Sequence, residues 1–326
     1  MPEMKKTREG FGRGLVELGH SHPDVVVLVG DLTDSTMVGF FAKEFPDRFI
    51  EMGVAEQNMM NTAAGLSLVG KIPFLSTYGA FATCRCLDQI RVTVCYSDLN
   101  VKIGGAHGGI SVGPDGATHQ AMEEISILRS LPNMKVIVPC DFHETKKATL
   151  AAADIWGPVY IRFGRENVPV VTDADTPFEF GQGLQMRDGA DVAIIACGVM
   201  LYEALEAAEN LSGHGIEARV INLHTVKPID REIIIAAAEE CGAIVTAEEH
   251  QINGGLGGAV AEVVVRYRPV PMEFVAVDDR FGQSGKPDEL MAAFGLKSPN
   301  IVAAVEKVLK RKRAGAMVSM IGSSTE

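Results

Sequence analysis

The chain has 326 residues and a formal charge of −12, from 30 Lys and Arg against 42 Asp and Glu. That balance is opposite to a general nucleic-acid binder, so any anionic ligand must be held by a few placed basic residues. Hydrophobic residues make up 47%, enough for two sizeable cores and too many for a largely disordered chain, and no apolar run reaches the ~18 residues of a membrane span.

The opening Met-Pro-Glu-Met-Lys-Lys has no apolar signal core behind it. The cysteines at 84, 86, 95, 140, 197 and 241 form no C-x-x-C pair and read as buried, reduced thiols of a cytoplasmic protein. Helical patterns run over Thr7–Leu18, Glu56–Leu68, Phe81–Val94, Ala121–Leu128 and Glu144–Ala153. Between them lie short branched apolar runs at Val25–Val29, Val101–Ile103, Val136–Val138 and Val159–Ile161. The same alternation resumes with strands at Val192–Ile195, Ala218–Ile221 and Ala243–Thr246, and helices at Tyr202–Ser212, Asp230–Glu240 and Gly257–Arg266. Strands this flat in polarity are covered on both faces. The pattern predicts an α/β fold of two three-layer domains built on parallel sheets.

The polar, turn-rich stretch Thr172-Asp-Ala-Asp-Thr-Pro177 interrupts this rhythm. It sets a first domain at 1–171, a linker at 172–187, a second domain at 188–309 and a tail at 310–326. The basic run Lys310-Arg-Lys-Arg313 reads as a helix end, where cations favour the dipole without any ligand.

Two stretches put polar groups where α/β proteins bind ligands, at the carboxyl edge of the sheet. In Glu51-Met-Gly-Val-Ala-Glu56-Gln-Asn, a carboxylate stands at a strand-to-helix junction, a position the helix dipole favours with or without catalysis. The second stretch, from Ile103 to Gln120, is dense in glycine and holds His107, Asp115 and His119. A loop this long in a compact domain is usually functional. It lacks a third ligand at metal spacing and lacks the G-x-x-x-x-G-K-[ST] of a P-loop, so no metal site is assigned.

Six motifs occur in a telling order. They are Gly30-Asp-Leu-Thr-Asp-Ser35, the Glu51–Met60 stretch, Ser76-Thr-Tyr-Gly-Ala-Phe81, the Ser111–Gln120 segment, Arg129–Pro139 and Tyr160–Pro169. Together they resemble the thiamine-diphosphate-dependent transketolases over roughly residues 5–310, the pyrimidine-binding and C-terminal domains of that family. The family's G-D-G…N motif, which holds the diphosphate through Mg²⁺, is absent. The chain therefore resembles the second subunit of a split transketolase, whose partner subunit carries the diphosphate domain and the Mg²⁺.

The resemblance implies a role for each matching residue. Glu56 would hydrogen-bond the aminopyrimidine of the cofactor and favour the imino tautomer that generates the ylid. Tyr78 and Phe81 would stack on the pyrimidine, with Cys84 where some members have a third aromatic. Asp31 and Leu32 would lie beside the cofactor. His119 and Asp115 match the substrate-hydroxyl and proton-handling positions. Arg8, Ser35, His107 and Arg165 match the positions that hold the phosphate of a sugar phosphate, chemistry for which guanidiniums are suited. Asp88-Gln89 would pack a helix at the dimer interface. Glu248-Glu249-His250 and Gly254–Gly258 look like a strand end and a helix start, with no catalytic role. The implied activity is ylid-mediated transfer of a two-carbon ketol unit from a ketose phosphate to an aldose, by a heterotetramer of two such chains and two partner subunits. A deoxyxylulose-phosphate-synthase-like subunit, a 2-oxo acid decarboxylating subunit and a non-catalytic regulatory subunit remain alternatives. No nucleic acid or membrane partner is implied.

Overall fold

The branched apolar runs do become strands in the computed structural model, which describes residues 2–323. In chain order these are β1 (Met4–Lys6), β2 (Val25–Val29), β3 (Phe49–Glu51), β4 (Ile72–Tyr78), β5 (Lys102–Ala106), β6 (Lys135–Ile137) and β7 (Val159–Arg162). They continue as β8 (Asn167–Pro169), β9 (Leu184–Arg187), β10 (Val192–Ala196), β11 (Ala218–Asn222), β12 (Thr225–Lys227), β13 (Ile244–Gln251) and β14 (Met272–Val277). The seven-stranded sheet has the order β12-β6-β7-β5-β4-β2-β3, and the five-stranded sheet has the order β14-β13-β10-β11-β9. Every pairing in both is parallel except β12 on β6 and β9 on β11, at the edges. An antiparallel edge on a covered parallel sheet is a common way to end it. The expected α/β class holds.

Packing explains the helices. Helix Thr7–Ser21 lies on helix Phe142–Asp154 at very short range. A Cβ at Gly10 would lie 2.3 Å from the Phe142 carbonyl oxygen, so glycine at that turn is what permits the contact. On the other face a single apolar cluster runs from Met59, Met60 and Tyr160 under the first sheet to Ile195, Ile221 and Val260 under the second. The two sheets therefore share buried apolar surface.

Several elements differ from the sequence reading. Leu184–Arg187, within the expected linker, is a strand of the second sheet. Thr225–Lys227, from the second half of the chain, joins the first sheet. The Phe81–Val94 helix is two π-helical stretches, Phe81–Arg85 and Gln89–Tyr96. The final helix runs Ser298–Ser323, so Lys310–Arg313 lies inside it rather than at its end. Residues 324–326 of the expected tail lie outside the described residues. All six cysteines are free thiols; five are buried as expected, and Cys84 is exposed. Among the described residues no helix is long and apolar enough to cross a membrane.

Asp141 ties the end of the first sheet's region to the chain that follows it. Its Oδ1 caps helix Phe142–Asp154 by accepting from the Glu144 N–H (3.0 Å) and the Thr172 hydroxyl (2.7 Å). Its Oδ2 accepts from the Val171 and Thr172 N–H groups at 2.8 and 2.6 Å. The side chain is fully buried, so its loss leaves four donors without a partner. Asp141→Ala should destabilise the chain by about 3 kcal/mol or more, and Asp141→Asn by clearly less. Urea unfolding of both variants checks this; equal midpoints for wild type and alanine variant would show the hub to be dispensable.

Candidate active site

The carboxyl ends of β2, β4, β5 and β7 open on one edge of the first sheet. Residues just beyond these strands therefore meet there. After β2 the chain turns through Asp31 in the left-handed region, at φ 58°. Aspartate tolerates that conformation better than most residues. Glu51, at the end of β3, holds the turn: it accepts from the Asp31 N–H at 2.8 Å, the Gly53 N–H at 3.0 Å and the Thr33 hydroxyl at 3.1 Å. Leu32 packs against the core that contains Val29 and Tyr78.

Glu56 opens helix Glu56–Leu68 and is only 5% exposed. The helix N-terminus favours its negative charge. Arg85 Nη1 donates to Glu56 Oε1 at 2.8 Å, and the Arg85 guanidinium lies 3.8 Å from the centre of the Phe81 ring. Gln57 Nε2 in turn donates to the Arg85 carbonyl at 2.8 Å. Arg85 thus couples the carboxylate to the aromatic face.

The rings form one cluster. Tyr78 stacks on His107 at 4.0 Å between centroids and lies 5.6 Å from Phe81. His119 stands edge-on to both, at 5.1 Å from Phe81 and 5.8 Å from Tyr78. The Thr118 hydroxyl is 2.8 Å from His119 Nδ1 and fixes one side of that imidazole.

Cations surround His107. Burial, then the Arg8 and Arg165 charges, push its pKa down to about 3, so it is a neutral imidazole at physiological pH. Its Nδ1 is buried and has no partner. Arg8 Nη1 donates to the Ser35 carbonyl at 2.7 Å, while Arg8 Nε is buried without an acceptor. Burial lowers the Arg8 pKa, and the nearby Arg165 charge lowers it further. Arg165 Nη1 donates to the Val112 carbonyl at 3.0 Å and to Asp115 Oδ1 at 3.1 Å, and its Nε lies 3.4 Å from Glu166 Oε1. Two mutually repelling guanidiniums with an unfilled donor describe a place for an anion.

The structure gathers Tyr78, Phe81, His107 and His119 as one ring cluster, and Arg8, Ser35, Asp115 and Arg165 as a polar group beside it. Glu56 joins the rings through Arg85. Ser35 meets Arg8 through its main-chain carbonyl. Asp31 and Leu32 lie one turn away; a Cβ on the preceding Gly30 would sit 3.9 Å from Glu56 Cγ. Sequence reasoning passed over Glu51 and Arg85. Their partners are 20 and 29 residues distant, beyond any local pattern. Beside the rings opens a cavity of about 660 Å³, with Phe81, Cys84 and Arg85 on one wall and Asn253, Arg280 and Phe281 of the second half of the chain on the other. Among the described residues no group of three His, Cys, Asp or Glu side chains is gathered to hold a metal ion.

On one edge of the first sheet, then, a buried acid, an aromatic cluster and two arginines stand close together. Residues 3–171 match the transketolase pyrimidine binding domain, and residues 181–301 match the transketolase C-terminal domain. A protein of Methanocaldococcus jannaschii, provisionally named a transketolase C-terminal section, is 44% identical over 94% of this chain and 98% of its own. A 6-deoxy-6-sulfo-D-fructose transketolase subunit of Clostridium sp. is 42% identical over 91% of this chain and 92% of its own. A solved split gene transketolase, an inactive beta4 tetramer, superposes with a TM-score of 0.89 at 50% identity, covering 94% of this chain and 99% of that one. The chain belongs to the thiamine-diphosphate-dependent transketolase family. Its extent is that of the C-terminal subunits of the split members.

His107 offers a pH test. Its folded pKa lies below the ordinary 6.5, so its contribution to stability is complete above that value and is lost as pH falls toward about 3. Histidine-labelled NMR should show the His107 ring neutral throughout the range from about pH 5 to 8. A titration midpoint above pH 6 would contradict the buried, cation-flanked setting.

Proposed function

We propose that this chain is the cofactor-activating and substrate-binding half of a split transketolase. It moves a two-carbon ketol unit from a ketose bearing an anionic tail to an aldose acceptor. A separate subunit supplies the diphosphate site and its Mg²⁺. The observation that carries this reading is the union, on one sheet edge, of Glu56, the Tyr78–Phe81 shelf and the Arg8–His107–Arg165 pocket, in a chain with no G-D-G motif. The donor set suits the ligands: a carboxylate and two aromatics for an aminopyrimidine, and unsatisfied Arg8 Nε and His107 Nδ1 for an anion.

Thiamine diphosphate, when bound, supplies a nucleophilic carbon and an electron sink for cleaving the bond beside the ketose carbonyl. Glu56, sheltered from water by its burial, would hold a proton at the pyrimidine ring nitrogen. Tyr78 and Phe81 would hold the pyrimidine by stacking, and Asp31 and Leu32 would lie beside the cofactor. His119, oriented by Thr118, moves the proton of the substrate hydroxyl, and Asp115 orients that hydroxyl. Arg8, Ser35, His107 and Arg165 grip the terminal anion. They read charge and tetrahedral shape, which a sulfonate and a phosphate share; the relative named for a sulfo-sugar supports a pocket of this breadth.

The working assembly is a heterotetramer of two such chains and two diphosphate-binding subunits. The relative recorded as an inactive beta4 tetramer supports this, since it pairs self-association with lack of activity. Free thiols suit a reducing compartment such as the cytoplasm.

The reading is tested by mixing the chain with its diphosphate-binding subunit and following ketol transfer. Glu56→Gln should lower kcat by roughly 10²–10⁴. Turnover within threefold of wild type would remove Glu56 from the activating role.

Arg165→Ala separates binding from chemistry. It removes a hydrogen bond to a charged group, worth about 1.5–3 kcal/mol. That is roughly 10–150-fold in affinity. The loss should appear in KM for xylulose 5-phosphate, leave kcat nearly unchanged, and vanish for hydroxypyruvate, which has no phosphate. An equal loss with both donors would assign Arg165 a structural role.

A further inference from the structure

Glu248-Glu249-His250 lies near the end of β13, where successive side chains point to opposite faces. Glu248 turns back into its own layer. Its oxygens accept from the Leu256 and Gly257 N–H groups at 2.7 and 2.8 Å and cap helix Leu256–Tyr267. Glu249 turns the other way, into the glycine-dense segment of the first sheet. Its Oε1 accepts from the Ser111 N–H at 2.6 Å, and its main-chain carbonyl accepts from Arg162 Nη2 at 2.7 Å. The residue is 3% exposed. Gly109 has φ 91°, and a Cβ there would lie 2.2 Å from Glu249 Cδ. The segment is therefore shaped around this carboxylate, and only glycine allows the approach.

Ser111 stands between His107 and Asp115, on the segment that also bears His119. A second tether comes from the same half of the chain: Gln120 Nε2 donates to the Ile110 carbonyl at 3.1 Å and to the Gln283 carbonyl at 3.0 Å. The segment has one short helical turn and a few internal bonds, but with so much glycine it gains further definition from contacts outside it.

We propose that Glu249 is a positioning residue, through which the C-terminal domain sets the conformation of the 107–119 segment and so the placement of its substrate-binding side chains. This rests on the reading of His107, Asp115 and His119 given above. Without Glu249 the half-buried Ser111 N–H loses its acceptor within the protein, and the segment relaxes. Misplacement of about 1 Å in such a segment can cost about 10²-fold in rate.

The test uses the full chain mixed with its diphosphate-binding subunit. Glu249→Ala should raise amide exchange in residues 108–119 at least tenfold, leave exchange in β10 and β13 unchanged, and lower kcat/KM for xylulose 5-phosphate roughly 10–100-fold. Glu249→Gln keeps an acceptor oxygen and should recover most of both effects. Should the alanine variant fail to fold, Ser111→Pro removes the donor from the other side of the contact, at the cost of a restricted backbone at Ile110. It does so in the first turn of Ile110–Asp115, where proline is tolerated, and should reproduce the kinetic loss. Unchanged exchange in 108–119, or a loss that glutamine does not recover, would overturn the proposal. His119→Asn, run in parallel, separates the two levels. If it is impaired while Glu249→Ala is not, the positioning role alone falls. If neither variant is impaired, the reading of the segment as substrate-binding falls with it.

Discussion

A guanidinium buried at 5% exposure must be met by acceptors or it would not stay charged, and Arg162 is such a group. Its Nε donates to Glu124, and its Nη2 donates to the Ala121 carbonyl at 3.2 Å and to the Glu249 carbonyl at 2.7 Å. Burial alone would lower its pKa, but the Glu124 and Glu249 carboxylates outweigh that and hold it charged. One side chain at the end of β7 thus fixes the start of helix Glu124–Ser130, the close of the glycine-dense segment and the end of β13. The geometry of the sheet edge depends on that arrangement, because three separate chain segments meet on this one side chain.

Electrostatics at the edge follow a division of labour. The chain as a whole is strongly acidic, yet the Arg8 and Arg165 charges both bear on one neutral imidazole, His107. Asp115 and Glu166 partly screen Arg165, whereas Arg8 keeps one donor unmatched. A net negative surface does not steer an anionic sugar inward from a distance. Under the proposed function, recognition would reside in short-range, directional contacts, which discriminate by geometry as well as by charge.

How much of this was legible in the sequence depends on the range of the signal. Val25–Val29, five branched or apolar residues in a row, announces a covered strand, and Glu56–Leu68 has the same bounds in pattern and in structure. Ile72–Tyr78 sits between β2 and β5 at the heart of the sheet, yet its sequence carries no clear strand pattern. Pro73, Ser76 and Thr77 break its apolar run, and proline is rare in central strands. Thr225–Lys227 is three residues long and finds its partner almost ninety residues earlier, in β6. Position and glycine content point to Glu56, His107, Asp115 and His119, whereas Tyr78 and Arg165 are readable only through the succession of motifs, since neither periodicity nor composition marks them. Arg85, Glu51 and Glu249 act through partners brought close by the fold, and a Glu-Glu-His run on its own looks like an ordinary strand end.

The crossing of β12 into the first sheet bears on how such a chain can be divided by evolution. The turn at Asp173–Thr176 looks like a natural seam, and the two matched families meet near it. Gene fission at that seam would leave β6 as a bare edge, an invitation to pair with other chains. It would also deprive Arg162 of the Glu249 carbonyl and open the apolar cluster between Met59 and Val260 to water. Recombination that exchanged one half for a cousin's would have to import a matching strand, acceptor and cluster at once. A shared strand, a shared acceptor and a shared core thus couple the two matched regions physically.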